Sequence, residues 1–440
     1  MEGTASEALS IARQAGPRAS IWQIAGVVAG NSLEFYDFAV FAYFAVYIGQ
    51  AFFPSSNAAA SLLASLATFG VGFITRPIGA FFIGRMGDRA GRKPAMLLSF
   101  ALMGAASLGL ALTPPASRIG LAAPFLVILF RLAQGFALGG EVGPSTSYLI
   151  EVAPPLQRGT YVSLQYLGQA LSGLLAALVG VALSSLMGER GLRDYGWRIA
   201  MLLGVLIVPF GLAMRRTLTE TLHEPESGPT RQTVGGPSRP FRAALIPLVL
   251  LSAGTTISYV LKYLTTYAIA TLHMSPRVAF TGAVIAGGLG VALNPVGGWL
   301  SDRFGRKPVM IWPWIGLLIA IVPCYGLLAH YRTPEALFAI SAVAGAIGTI
   351  SGSVTLTAIT ESFPKHARSV RLAFIYALAI SVFGGTAQFN VAWLTLKTHS
   401  AMVPAWYMMA GVAIGLVAMA FLPESAPIKS GAGLNRKQAP

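Results

Sequence analysis

Residues 84–93 read GRMGDRAGRK, and residues 298–307 read GWLSDRFGRK. Both copies fit G-x-x-x-D-R-x-G-R-K, so Asp88 returns as Asp302 about half a chain length further on. A second pair keeps nearly the same offset, because Glu151, Pro154 and Arg158 recur with identical spacing as Glu361, Pro364 and Arg368. Repetition at half length predicts two similar halves around a central site. Gly84, Gly87 and Gly91, with Gly305 in the second copy, suit close helix approach and a tight turn. Arg89, Arg92, Arg303 and Arg306 must stay in water or among headgroups, which marks each copy as a loop at a membrane surface. Asp88 and Asp302 can accept bonds from a neighbouring helix N-terminus or an arginine, so these residues form a candidate polar latch that breaks as the halves move.

The rest of the chain agrees with a bilayer setting. Of 440 residues, 55% are hydrophobic and 11% charged, and the mean hydropathy is +0.66. Such a chain cannot present a polar exterior all round. Its net charge of +15 sits in short loops between apolar runs, where the positive-inside rule explains it and a nucleic-acid partner is not required. Cys324, the only cysteine, lies within an apolar run and cannot form an intrachain disulfide.

At about 20 residues per crossing, apolar runs predict six helices within 21–214 and six within 242–423. Residues 215–241, rich in Pro, Gly, Thr and charge, read as a linker, and 1–20 and 424–440 as polar tails. The fold class expected is therefore an all-α membrane protein of twelve transmembrane helices in two pseudo-repeated six-helix bundles. With both termini inside, Lys and Arg favour the inner loops about three to one, which predicts cytoplasmic termini.

Ionisable residues far from helix ends are costly in lipid and are candidates for function. In GNSLEFYDF, Asn31, Glu34 and Asp37 fall at roughly 60° steps and share one broad face. Glu34 and Asp37 are candidate proton carriers, the competing reading being a pairing with a structural arginine. In the fourth run Arg131, Gln134 and Glu141 lie on one stripe; Arg131 and Glu141 are about 15 Å apart along the axis and cannot pair. Arg131 therefore needs an acid from another helix or an anionic ligand, and Glu141 is either a third proton carrier or a structural hydrogen-bonding group. Gln165 and Gln169 share a face of the fifth run. Tyr259 and Lys262 belong to a narrow polar stripe in the seventh, where a cavity position for Lys262 is favoured over snorkelling. Arg371 is a loop charge or a cavity cation, and Gln388 can bond a polar ligand. Several cations beside protonatable acids point to a substrate with more than one negative charge.

The segments GNSLEFYDF, RPIGAFFIGRMGDRAGRK, RLAQGFALGGEVG, GWR at 196–198, RRTLTET and VFGG at 382–385 resemble the metabolite:proton symporter family of the major facilitator superfamily. Similarity is greatest to its citrate and α-ketoglutarate branch. The resemblance implies the major facilitator fold and proton-driven uptake across a bacterial inner membrane, with no cofactor beyond the proton gradient. It also implies that Glu34, Asp37, Arg131 and Glu141 match the family's embedded charges. A di- or tricarboxylate such as citrate is the expected substrate, bound by Asn31, Arg131, Gln134, Gln165, Gln169, Tyr259, Lys262, Arg371 and Gln388. Its partners would be that acid, the proton and the bilayer, with the protein a monomer. Zwitterionic osmolytes (proline, betaine), aromatic or cyclic organic acids, and a non-transporting sensor are the alternatives. No Ser/His/Asp, metal-ligand or nucleotide-loop constellation suggests an enzyme.

Overall fold

The computed structural model describes residues 20–90, 92–139, 142–206, 208–209, 213, 240–363 and 368–430. Among these residues the regular structure is helical, with no strands. The first crossing is α1a (Ile21–Tyr43), started by a capping box in which Ser20 and Gln23 exchange side-chain to backbone bonds. At Phe44 it bends by 70° into α1b (Ala45–Phe52). The second is also broken: α2a (Ala58–Val71) and α2b (Arg76–Ala90) flank a turn at 72–75. There follow α3 (Arg92–Leu112), the two pieces α4a (Ala122–Leu138) and α4b (Val142–Val152), α5 (Arg158–Gly191) and α6 (Trp197–Gly204).

The other half comprises α7 (Pro240–Ala270), α8 (Pro276–Phe304), α9 (Arg306–Tyr331) and α10 (Pro334–Ser362). It ends with α11a (Arg368–Ala379) and α11b (Gly385–Thr398), joined by a π-helical turn at Ile380–Gly384, and with α12 (Val403–Phe421). By length and hydropathy eight stretches qualify as spans, or nine with the bent α1 pair. Two shorter apolar helices, Leu97–Leu112 and Ala122–Leu138, and a division of the 50-residue stretch Pro155–Gly204 at Gly188, complete the twelve. The expected linker lies outside the described residues except for its last two positions, which open α7.

Small residues set the closest contacts between the halves, as in membrane bundles where backbones approach at glycine and alanine. A Cβ on Gly298 of α8 would stand 2.6 Å from the Gly159 carbonyl oxygen and 2.8 Å from Thr160 Cα in α5. Nearer the middle, one on Gly287 would stand 2.9 Å from Leu174 Cα. Gly84, the counterpart of Gly298, meets none of the described residues within 4 Å of an added Cβ, so among them the close approach expected of both copies is found for the second. Within the N-terminal half, Arg198 Nη1 donates to the carbonyls of Ala111 and Thr113, each at 2.6 Å, which ties α6 to the end of α3. Its guanidinium also covers the buried Trp197, 4.2 Å from the ring centroid. Large apolar side chains such as Leu121, Trp312 and Ile319 are exposed on the outside, the inverse of a soluble protein's surface.

Candidate functional site

A cavity of about 180 Å3 opens between α5, α7, α8 and α10. At ~30 Å3 per water that is space for about six waters, the scale of a small organic molecule. Gln169, Ser258, Lys262, Asn294 and Thr349 furnish much of its polar lining, and glycine and aliphatic residues most of the rest. Among the described residues that line it, Lys262 is the one that carries a charge. The helical stripe on α7 explains its position: Tyr259 lies one turn earlier, and the Lys262 Nζ stands 4.9 Å from that ring's centroid. Tyr259 in turn packs on Phe73 (5.6 Å) and Phe69 (5.9 Å) of the second crossing, while its carbonyl accepts from Gln388 Nε2 at 3.3 Å. Thr266, next on the stripe, turns away from the cavity and bonds the Ala42 carbonyl at 3.0 Å.

Arg131 lies elsewhere than expected. It does not line the cavity; it is fully buried in the N-terminal half, with its guanidinium 4.4 Å from the ring centroids of both Phe38 and Phe41 and 5.2 Å from Phe69. Nη1 donates to Gln134 Oε1 at 2.8 Å and Nη2 to the Phe69 carbonyl at 3.4 Å, where the second crossing is about to break. The same Gln134 donates through Nε2 to Ser107 Oγ at 3.0 Å and to Asp37 Oδ2 at 3.4 Å, and the Ser107 hydroxyl also donates to Asp37. Asp37, Ser107, Gln134 and Arg131 thus form one buried network across three helices. Gly204 of α6 lies against the Asp37 carboxylate, where a side chain would collide with it.

Asn31, Glu34 and Asp37 are all buried, but none lines the cavity; α1a meets it through Tyr43, farther along the helix. Asn31 faces Gly168 of α5, and among the described residues neither atom of its amide has a hydrogen-bond partner. Gln165 is buried with its amide likewise unpartnered, as is Oε2 of Glu34. Gln169 does reach the cavity, and its Nε2 donates to the Tyr376 hydroxyl of α11a at 3.1 Å, linking the two halves. Arg371 is exposed near the start of α11a and does not line the cavity, so of its two readings the cavity cation is not observed. Glu141 lies outside the described residues. Sequence reading gave no role to Ser107, Tyr376 or Arg76; Arg76 falls within a predicted helix and is only 2% exposed in mid-bundle, and a charge so placed in an apolar run was the available signal.

At one end of the bundle the second motif forms a dense ionic cluster. Asp302 accepts from the backbone N–H groups of Gly159 and Thr160, both at 2.8 Å, and from the Thr160 hydroxyl at 2.9 Å. The acid of one half thereby caps the first turn of α5 in the other. Arg306 Nη1 bonds Asp302 at 2.7 Å, and Nε and Nη2 clasp Glu361 at 3.1 and 2.9 Å. Gly305, with φ 100°, makes the turn that an L side chain would strain. Glu424 accepts from the N–H groups of Arg306 (2.8 Å) and Lys307 (3.0 Å), and Ser425 Oγ donates to Glu361 at 2.6 Å. Burial pushes the Glu424 carboxyl up, but the N–H groups of Ala426, Arg306 and Lys307 outweigh that and hold it below the usual carboxylate range. Arg303 is exposed over Trp299 and Phe304, away from the cluster. In the first copy Arg89 is exposed, while Gly91 and the side chains of Asp88 and Arg92 lie outside the described residues.

A family model described as "Sugar (and other) transporter" matches residues 22–223 and 215–429. The citrate-proton symporter of Salmonella typhi is 34% identical over 408 residues, covering 90% of this chain and 92% of that protein. The α-ketoglutarate permease of Escherichia coli is 36% identical over 386 residues, 87% and 88% of the two chains. The proline/betaine transporter of the same organism is 30% identical over 91% of this chain and 83% of its own. Among solved structures, the proton:xylose symporter XylE of the major facilitator superfamily superposes with a TM-score of 0.72 at 20% identity, over 91% of this chain and 95% of that one.

Proposed function

The chain belongs to the sugar (and other) transporter family of the major facilitator superfamily, and on that premise we propose that it is a proton-coupled symporter importing a small organic anion. A di- or tricarboxylate such as citrate is the first candidate, carried across a bacterial inner membrane with both termini cytoplasmic. The observation that carries this reading is Lys262, which among the described lining residues is the one cation and has no acid beside it in that lining. An ammonium taken out of water is stabilised when an anion meets it there. Relatives named for citrate and α-ketoglutarate support the same chemistry.

In this mechanism Lys262 receives a carboxylate, and Gln169 and Asn294 offer amides that orient the rest of the substrate. The proton is carried by Asp37, whose network with Ser107, Gln134 and Arg131 links it to the bundle core, with Glu34 and Glu141 as further carriers. Alternating access follows from rocking the two six-helix bundles about the cavity, with the Asp302–Arg306–Glu361 cluster holding one end shut.

Osmolyte transport is the second reading, favoured by the relatives named for proline and betaine. It fits the cavity less well, because a zwitterion would bring its own cation beside Lys262 with no acid among the described lining residues to receive it. Competition decides: uptake of a labelled carboxylate should be inhibited by unlabelled citrate or α-ketoglutarate and untouched by betaine. Inhibition by betaine alone would favour the second reading.

A further inference from the structure

Arg76 opens α2b immediately after the break at 72–75 and sits deep in the bundle. Its guanidinium carbon stands 4.6 Å from the ring centroid of Phe73, 5.0 Å from Phe38 and 5.8 Å from Phe35. Aromatic faces attract the charge but accept few of its hydrogen bonds, and among the described residues Nε and Nη2 have no hydrogen-bond partner. Buried donors of a planar fork left in this state call for an acceptor, and two oxygens of one carboxylate match the fork. Arg131 is differently placed, since two of its nitrogens already bond Gln134 and Phe69.

A chain of aromatic contacts connects Arg76 to the cavity residue Lys262. Phe73, under the guanidinium, packs edge-on against Tyr259 at 5.6 Å, and the Lys262 Nζ stands 4.9 Å from the Tyr259 centroid. A second tyrosine, Tyr376, is bonded to the cavity residue Gln169. Arg76 is within electrostatic range of Tyr259, Tyr376 and Lys262. The two cations belong to different halves of the molecule.

We propose that Arg76 is a second carboxylate anchor, reached when Tyr259 and Tyr376 turn aside, so that a substrate with two separated carboxylates bridges Lys262 in one half and Arg76 in the other. The assignment rests on the organic-anion reading above and narrows it: one lining cation balances a monocarboxylate, and the second selects for a dianion. A bridging substrate would also draw the halves together, which is what occlusion around a midplane site requires.

The test compares succinate with butyrate, which shares its chain length but has one carboxylate, using the full-length protein. Binding is read as thermal stabilisation in detergent, and transport as gradient-driven uptake in proteoliposomes. Arg76→Gln should weaken succinate binding and raise its KM by roughly 10- to 100-fold, the size expected for lost charge-assisted bonds, while the weak response to butyrate stays unchanged. Arg76→Lys should restore part of the succinate response. If Arg76→Gln does not fold, Arg76→Lys carries the test, with an expected rise of several-fold for succinate alone because the point charge lacks the fork. Equal responses of wild type and variant to succinate would overturn the anchor, as would parallel loss of both ligands in folded protein. Arg76-dependent succinate binding without any gradient-driven uptake would keep the anchor and refute symport. Carboxylate symport indifferent to Arg76 would do the reverse.

Discussion

Asp302 of α8 caps α5 by accepting the N–H groups of Gly159 and Thr160 at 2.8 Å each, so one carboxylate joins the two halves of the molecule. Arg306 holds that carboxylate in place and at the same time clasps Glu361. Replacing Arg306 with Ala would leave two largely buried carboxylates without their cation, a loss of about 3–5 kcal/mol for a buried pair. Asp302→Asn is milder and frees this end to open. Hydrogen exchange at the start of α5 should accelerate in Asp302→Asn; unchanged protection there would remove Asp302 from the latch.

Packing makes an independent prediction at the same junction. A methyl group on Gly298 would press on the Gly159 carbonyl and on Thr160 Cα. Gly298→Ala should therefore disfavour the closed arrangement and lower uptake, whereas Gly84→Ala, where the space is open, should be close to neutral. Equal effects of the two substitutions would show that α5–α8 contact does not limit the cycle.

The tail contact through Glu424 gives a pH dependence with a definite sign. A carboxyl whose folded value is depressed stabilises the fold fully above its ordinary value of 4.5 and loses that contribution as pH falls through the lower folded value. Thermal unfolding of wild type should thus show an acid-induced loss of stability that Glu424→Gln lacks, the variant being less stable at neutral pH. Parallel acid profiles for the two proteins would argue that the cap contributes nothing.

Asp37 tests coupling apart from binding. Asp37→Asn keeps the size of the side chain and can still accept from Ser107 and Gln134, but it cannot exchange a proton. Substrate exchange down its own gradient should persist while proton-driven accumulation disappears. Full accumulation in Asp37→Asn would move the coupling role to Glu34 or Glu141.

The duplicated motif, the apolar runs and the twelve crossings could be read from residue order because each is a local or periodic signal. Lys262 was legible for the same reason, as one step of a polar stripe on a single helix. Arg131 was visible as a buried charge, but what covers it was not: Phe38, Phe41 and Phe69 come from other crossings, and only folding brings them over the guanidinium. The bend at Phe44 has neither proline nor glycine beside it, so no breaker announced it. Gly72 and Pro77 at the second break and the Gly384–Gly385 pair at the π turn were local signals that apolar periodicity alone does not weigh. Glu424 meets Arg306 across 118 residues, a distance over which sequence pattern carries no information.

Proteoliposomes loaded with wild-type protein or Lys262→Gln, and offered labelled citrate, α-ketoglutarate or betaine with and without an inward proton gradient, test the central claim most directly. A carboxylate should accumulate in wild type only when the gradient is present, and Lys262→Gln should abolish that accumulation in folded protein. Accumulation of betaine in place of either acid, or carboxylate uptake that survives Lys262→Gln undiminished, would contradict the assignment of the cavity as an organic-anion site.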